Sequence, residues 1–420
     1  MGGVPQPRLR LGAQALPDDV LRRGREDGRG VVLAVSTTGR VMTVLGPVSE
    51  AELGVTLPHE HVMCDMARSM YVPHPDARQR AAAERPITLD ELWRVRERPL
   101  EQRDNLSLTE EDVAARELDH FRAAGGGTVV DCTVRGLYPD PAALVRLSRA
   151  TGVHIVLGTG YYVARTHSAG MDDKTVEEIA DEFVGDLTEG IDGTGVRAGL
   201  IGELGIGGLT AFEGISSFAE VGPNELKVLR AAARAHLRTG VAISLHPPRS
   251  RVRGVPRSRL ACGALDLLDR DGVPPDRVVV GHLDGSWDED LRVHREIAER
   301  GSYVEYDVWG WNDLYWPARR DGFLHDARRI ELVVGMLEAG HVERLLLAHD
   351  ICTRHRLRRY GGHGYDYLLR FGVEMLRANG VGPEAIRTMM VTNPARVLSV
   401  AGSPDAPATG DAVPTAAAAR

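Results

Sequence analysis

Residues 54–62 read GVTLPHEHV, a short apolar run that ends in His59, Glu60 and His61. Its length and its valine and leucine content are typical of a buried β-strand. Because side chains alternate across a strand, His59 and His61 are predicted to point to one face and Glu60 to the other. The stretch therefore predicts a strand that carries two imidazoles on one side of its carboxyl end.

Seven further runs of this kind follow, separated by longer amphipathic segments. They are residues 128–133, 153–158, 198–204, 241–246, 277–282, 302–307 and 344–350. Helical patterns between them include 175–191 and 223–238, the second of which stops before Gly240. Eight alternating strand–helix units predict an α/β fold, a (β/α)8 TIM barrel of residues 39–401 with a short N-terminal β extension. A doubly wound open sheet is the alternative, but no GxGxxG motif follows the first strand.

The two ends of the chain differ from this middle part. Residues 1–38 are rich in Gly, Arg and Pro, and residues 402–420 in Pro, Ala and Gly. Both are therefore predicted to be flexible, disordered tails. Residues 63–108 form a long polar insertion after the first strand. Insertions of this length are commonly functional, so we expect this one to cover an active site.

The composition limits the classes of function. Among 420 residues, 51 are Lys or Arg and 59 are Asp or Glu, which gives a formal net charge of −8. This charge argues against nucleic acid or an anionic membrane as a partner, and leaves a small-molecule substrate. The four cysteines are far apart and no secretory signal is recognisable, so a cytoplasmic location is expected. A homodimer is expected only from its general frequency among proteins.

Polar residues stand at the carboxyl ends of the predicted strands, where TIM barrels build their active sites. Besides the two histidines of the first strand, these are Glu203, His246, His282 and Asp350. Four imidazoles and two carboxylates suit Zn²⁺ or another first-row divalent ion such as Mn²⁺ or Co²⁺. Two ions about 3.5–4 Å apart that share a bridging carboxylate would use all six ligands. We therefore predict two divalent metal ions per chain, with Zn²⁺ favoured.

A binuclear site of this kind predicts hydrolysis. A hydroxide held between two divalent ions is a strong nucleophile at neutral pH, because the metals lower the pKa of bound water. Asp350 can accept the proton of this hydroxide and pass it to the leaving group, which makes it the predicted catalytic residue. A single histidine at a strand end is more often a packing residue than a metal ligand. The metal site is favoured only because all six candidate ligands stand at the ends of predicted strands. A metal-bearing binding protein without turnover is the other class.

Longer motifs resemble the phosphotriesterase family of the amidohydrolase superfamily. They run from about residue 41 to residue 398 and include VLGPVSEAELGVTLPHEH, GLIGELG, GHLD, LLAHDICT and NPARVL. The segments GTGYYVARTHS, VEYDVWG and YGGHGYDYLL make the chain most similar to the branch of phosphotriesterase-related proteins. The resemblance implies a TIM barrel, a binuclear metal centre and hydrolase activity.

The resemblance also implies a role for each ligand. The more buried metal would be bound by His59, His61 and Asp350, and the more exposed metal by His246 and His282, with Glu203 as the bridge.

The bridging position departs from the founding members of the family, which carry a carboxylated lysine there. The only lysines of this chain, Lys174 and Lys227, both lie in predicted helical segments. The related-protein branch likewise uses a glutamate, so Glu203 is the implied bridge.

The resemblance leaves organophosphate triesters, lactones and N-acyl amino or aminosulfonic acids as substrate classes. The related-protein branch is associated with N-acetyltaurine-like amides, whose terminal anion requires a nearby cation. Arg249 and Arg165 are the candidates, although Arg249 could equally be a surface residue. Tyr162 and Tyr306 are candidates for the pocket lining. The leading prediction is hydrolysis of a small anionic N-acyl amide, and the alternative is a lactonase or phosphotriesterase with the same metals.

Overall fold

The computed structural model describes residues 39–207, 214–252, 254–285, 291–312 and 325–400. The predicted tails lie outside the described residues. The described part begins with an antiparallel hairpin of β1 (Arg40–Thr43) and β2 (Gly46–Ser49). This hairpin is the predicted N-terminal β extension.

Eight parallel strands form one sheet in the described part of the chain. In chain order the strands after the hairpin are β3 (Val55–Glu60), β4 (Cys64–Asp65), β5 (Ser107–Leu108), β6 (Gly126–Asp131), β7 (His154–Thr159), β8 (Leu200–Gly205), β9 (Ile243–His246), β10 (Val278–Val280), β11 (Tyr303–Tyr306) and β12 (Leu345–Leu347). Apart from the antiparallel pair β4–β5, they lie side by side in the order in which they occur along the chain. All eight predicted barrel strands are therefore confirmed.

Hydrogen bonds join the last strand to the first. The backbone N–H of Asp350 donates to the carbonyl of His59 at 3.1 Å. The Glu60 carboxylate accepts from the backbone and from the ring Nδ1 of His349, at 2.8 and 2.7 Å. It also accepts from the backbone of Ile351 at 2.9 Å. These contacts close the sheet into a barrel, so the open-sheet alternative is wrong.

Helices alternate with the strands. They are α1 (Ala77–Ala83), α2 (Leu92–Glu97), α3 (Glu111–Ala123), α4 (Pro141–Thr151), α5 (Val176–Thr188), α6 (Pro223–Thr239), α7 (Arg257–Arg270), α8 (Arg292–Glu299), α9 (Asp326–Glu338), α10 (Val373–Ala378), α11 (Pro383–Arg387) and α12 (Asn393–Leu398). Thr175 and Glu178 form a capping box that starts α5. Gly240 ends α6 with a positive φ of 73°, which glycine adopts without a steric penalty.

The apolar core of the described residues has two main parts, apart from a small third cluster of Val308 and Trp311. The larger part packs the strands against the helices. The smaller part takes one buried side chain from most of the barrel strands, such as Val156, Leu200 and Tyr303, and adds Val41 of the hairpin and Leu398 of α12. Side chains from so many strands can meet only inside the barrel. This part of the core therefore fills the amino-terminal end of the barrel interior. The carboxyl-terminal end is left for polar side chains.

The insertion after β3 lies on that carboxyl-terminal side. The Asp65 backbone N–H donates to the carbonyl of Leu137, in the loop after β6, at 2.9 Å. The Ser69 hydroxyl donates to the Gly136 carbonyl of the same loop at 2.6 Å. The insertion is therefore beside the mouth of the barrel, and its function as a cover stays a prediction.

Candidate metal centre

Four imidazoles converge on Glu203 at the carboxyl-terminal end of the barrel. One carboxylate oxygen, Oε2, lies 2.9 Å from His246 Nδ1 and 3.3 Å from His282 Nε2. The same oxygen lies 3.5 Å from His59 Nε2. The other oxygen, Oε1, lies 3.4 Å from His61 Nε2. Oε2 of Glu203 therefore faces three of the histidines and Oε1 faces the fourth, so both carboxylate oxygens are within reach of imidazole nitrogens.

Asp350 completes the group on the side of His61. Its Oδ1 atom lies 3.3 Å from His61 Nε2, and its Oδ2 atom lies 3.9 Å from His282 Nδ1. The side chains of Asp350 and His246 are 12% and 14% exposed, whereas His59, His61 and Glu203 are at most 2% exposed. Asp350 and His246 therefore lie nearest the solvent, at the mouth. The structure brings together all six residues that the sequence indicated as ligands.

Irregular backbone places these side chains. The register between β3 and β6 shifts between Leu57 and Glu60, and the register between β8 and β9 shifts between Ile201 and Leu204. Such irregularities redirect a side chain relative to the regular alternation of a strand. His282 and Asp350 follow their strands with positive φ values of 58° and 50°. Backbone of this kind is uncommon for residues other than glycine and clusters at functional sites.

Two further carboxylates contact the Nδ1 atoms of His59 and His282, on the side of each ring away from Nε2. The sequence analysis missed both as functional residues. Glu305 Oε2 lies 3.0 Å from His59 Nδ1. Asp307 accepts from His282 Nδ1 at 2.9 Å and lies 3.2 Å from His59 Nδ1. Carboxylates in this position orient imidazole ligands towards a metal. Their spacing of two residues repeats that of His59 and His61, and this signal could have identified them.

A buried arginine supports Asp307 in turn. The Asp284 carboxylate accepts from the backbone N–H groups of Asp307 and Val308, both at 3.1 Å. Arg329 Nε donates to Asp284 at 2.9 Å, and its Nη1 donates to Asp326 at 2.7 Å. All these side chains are buried. The backbone that follows β11 is therefore held by a network of charged groups.

The electrostatics of the cluster favour positive charge. Burial alone would lower the pKa of His61, but hydrogen bonds with Asp350 and Glu203 raise that pKa to about 10. Burial would also lower the pKa of His282, but the charge of Asp307 and its hydrogen bond outweigh this effect and raise the pKa to about 9. His246 differs, since burial and the neighbouring His282 lower its pKa to about 3. Carboxylates that stabilise imidazolium charge here would stabilise a bound cation in the same way.

The residues fit a metal centre. His59 Nε2 is buried and has no hydrogen-bond partner among the described residues. Nδ1 of His246 and Nε2 of His282 lie 2.8 Å apart, and both face Glu203 Oε2, at 2.9 and 3.3 Å. Two groups of possible ligands share Glu203, one with His59 and His61 and one with His246 and His282. Nitrogen and carboxylate ligands of this kind match zinc and other first-row divalent ions.

The four residues expected to contact substrate lie in different places. Tyr162 is at the cluster, with its hydroxyl 3.4 Å from His246 Nδ1. Arg249 is half-buried, and its charge acts on the Tyr162 hydroxyl. Arg165 is turned to the insertion, where its Nη2 donates to the Ser69 carbonyl at 3.2 Å.

Tyr306 is not brought to the cluster. Its hydroxyl lies 2.9 Å from Nδ1 of His294, a residue of α8. Since Tyr306 stands between Glu305 and Asp307, which both face the histidines, strand alternation turns it to the helices. The expectation that it lines the pocket overlooked this alternation.

Arg257, the first residue of α7, was also missed. It is buried, and its charge interacts with those of Asp307, Glu203 and Asp350. Nothing in the local sequence distinguishes it from the other arginines of the same segment. Only the folded chain reveals its position.

The comparisons with known proteins agree with this geometry. A model of the phosphotriesterase family matches residues 39–398. The chain belongs to the phosphotriesterase family. Membership confirms the prediction of a hydrolase with a TIM-barrel fold, and family members depend on a metal. In the described part of this family member, no helix combines the length and apolar character needed to cross a bilayer.

Relatives of this phosphotriesterase family member match it over nearly their whole length. N-acetyltaurine hydrolase of Rattus norvegicus is 36% identical over 366 residues, which cover 87% of this chain and 99% of that protein. A resiniferatoxin-binding protein from Rhodobacter sphaeroides has a solved structure with 35% identity and a TM-score of 0.76, covering 86% of this chain and 95% of that chain. The phosphotriesterase homology protein from Escherichia coli, solved with phosphate in its active site, is 27% identical with a TM-score of 0.65, covering 83% and 99%.

Proposed function

We propose that this chain is a binuclear metal-dependent hydrolase of a small anionic N-acyl amide, such as N-acetyltaurine or an N-acetyl amino acid. The observation that carries the proposal is the convergence of four imidazoles on Glu203, with Asp350 at 3.3 Å from His61. The substrate class is supported by the relative from Rattus norvegicus, which is an N-acetyltaurine hydrolase and matches 87% of this chain.

The six ligands would divide between two ions as the resemblance to the family implies. One ion would be held by His59, His61 and Asp350, the other by His246 and His282, and Glu203 would bridge them. Zn²⁺ is the favoured ion, with Mn²⁺ and Co²⁺ as alternatives. When bound, the two ions supply a Lewis acid and an activated water.

The remaining steps fall to side chains at the mouth. Asp350 would take up a proton on its carboxylate and return it to the departing amine, since it is the more exposed carboxylate of the cluster. Glu305 and Asp307 would keep the rings of His59 and His282 oriented. The Tyr162 hydroxyl, near His246, would donate to the substrate, and Arg249 would add positive charge beside it.

The proposed setting is the cytoplasm, because all four cysteines are free thiols. The proposed partner is the small-molecule substrate. A homodimer stays a prediction.

One experiment tests the proposal. The purified full chain, reconstituted with Zn²⁺, is assayed against N-acetyltaurine, N-acetyl amino acids, lactones and a phosphotriester, with metal analysis on the same preparation. We expect turnover of the anionic amides and about two ions per chain. Glu203→Gln should lower the metal content, and Glu101→Gln, in the insertion, is the control. Turnover of lactones or triesters alone would overturn the amide proposal, and unchanged metal in the Glu203 variant would overturn the bridge.

A further inference from the structure

A buried arginine lies beside the metal centre without a hydrogen bond at its Nε atom. Arg257 is 7% exposed, and Nε is buried and has no hydrogen-bond partner among the described residues. Charged groups are almost never fully buried unless they are paired, because removal from water is costly. A guanidinium in this state is therefore prepared to receive an acceptor from outside the chain.

The charge of Arg257 reaches the site from the segment that follows β9. It acts on Asp307, Glu203 and Asp350, which lie at or near the ends of three different strands. It also acts on Tyr162, and it helps to lower the pKa of His246. In a (β/α)8 barrel the helix that follows a strand starts on the side of that strand's carboxyl end, so the start of α7 after β9 lies on the side of the mouth. Burial lowers the pKa of Arg257, but a guanidinium stays protonated in proteins.

The start of α7 adds to the positive potential. Pro256 precedes the helix and provides no side-chain cap, so it leaves the N–H groups of the first turn without the usual side-chain acceptor. Ser258, which follows Arg257, is fully buried, and its hydroxyl also has no hydrogen-bond partner in the described part of the chain. The amino end of a helix carries partial positive charge and favours anions.

The two arginines indicated by the sequence are placed less favourably. Arg165 donates to the Ser69 carbonyl of the insertion. Arg249 is only half-buried, and it is therefore more strongly screened by water than Arg257.

We infer that Arg257 binds the anionic end of the substrate, a sulfonate or carboxylate, and so determines the preference for acidic N-acyl amides. This inference rests on the proposed function. A guanidinium matches the planar or trigonal oxygens of such groups with paired hydrogen bonds. The amide would then lie at the metal ligands while its acidic end lies at the start of α7.

The test compares Arg257→Gln with Arg259→Gln, a control in the same helix whose exposed arginine pairs with Glu296. Each variant is assayed with N-acetyltaurine and with its neutral analogue N-acetylethanolamine. We expect Arg257→Gln to reduce the ratio of the two kcat/KM values by about 10–100-fold through KM for the anion. Arg257→Lys should restore part of the preference, and the control should keep it. An equal loss for both substrates, with the preference retained, would overturn the inference and leave the proposed function intact.

Calorimetry separates this outcome from failure of the proposed function. N-acetyltaurine and the neutral N-acetylethanolamine are each titrated into the full chain carrying Asp350→Asn, with and without Arg257→Gln, and circular dichroism verifies that both proteins are folded. Binding that weakens only for the anion upholds the inference. Equal binding of N-acetyltaurine with and without Arg257→Gln overturns the inference. This result does not depend on which substrates the enzyme turns over, so it is distinct from failure of the proposed function.

Discussion

The Asp307 carboxylate accepts a hydrogen bond from the ring Nδ1 of His282 at 2.9 Å, and its other oxygen accepts from the backbone of the same residue at 2.8 Å. The pair fixes both the ring and the backbone of one proposed ligand. Such outer carboxylates also make the imidazole a stronger ligand.

Asp307→Asn should therefore weaken metal binding. We expect the affinity for Zn²⁺ to fall about 10–100-fold, since the charge behind His282 is lost while the shape is kept. Competition with a chromogenic chelator measures this. Asp276→Asn, an exposed position before β10, is the control. Equal affinities in the two variants would remove the role given to Asp307.

Asp350→Asn should reduce kcat while the protein keeps its fold. The loss of a general base typically lowers the rate about 10²–10⁴-fold. The Asp350 side chain lies at the mouth and is 12% exposed, so the isosteric change should leave the apolar core unaltered. Steady-state kinetics with metal analysis of the variant provides the measurement. A variant that retains its metal and most of its rate would show that another group moves the proton.

Arg329→Met should destabilise the barrel. Arg329 is fully buried and pairs with Asp284 and Asp326, so its removal leaves two buried carboxylates uncompensated. The expected loss in the free energy of unfolding is about 3–5 kcal/mol. Urea unfolding measures it. Arg328→Met is the control, because the Arg328 side chain is 31% exposed and pairs with the exposed Glu331. It should cost less than about 1 kcal/mol, and similar values for the two variants would contradict the prediction.

His294 should make stability depend on pH. Burial lowers the pKa of His294 from 6.5 to about 3 in the folded state. Between these values the unfolded chain binds one more proton than the folded chain, so stability falls as the pH falls. The slope is about 1.4 kcal/mol per pH unit, and the contribution is fully present above the unfolded pKa.

His294→Gln should remove this slope, which urea unfolding at pH 7 and pH 5 would reveal. His120→Gln, at an exposed position of α3, should leave the slope unchanged. If the His294 variant lost stability on acidification as steeply as the parent, the neutral buried ring would not be the cause.

The strands of the barrel could be predicted because parallel strands buried on both faces are nearly continuous apolar runs. The run at 277–282 is an example, since its apolar part is the observed β10. The ligands could be predicted from their position at strand ends. Glu305 and Asp307 were equally accessible, because they repeat the spacing of His59 and His61.

Arg257 and Tyr306 mark the limit of this reasoning. The alternation of a strand would have placed Tyr306 on the helix side, as its contact with His294 shows. Arg257 begins a helix 11 residues after His246. The path of the intervening segment depends on contacts such as that of Ile215 with Arg249, which are distant in sequence.

The sequence by itself determined which side chains stand at the carboxyl end of the barrel, since apolar runs and their polar ends are local patterns. The tertiary structure decided where those side chains point. Register shifts in β3 and β8 and the left-handed backbone of His282 and Asp350 redirect the ligands. Such backbone is stable only when packing from many strands enforces it, and no local pattern encodes that packing.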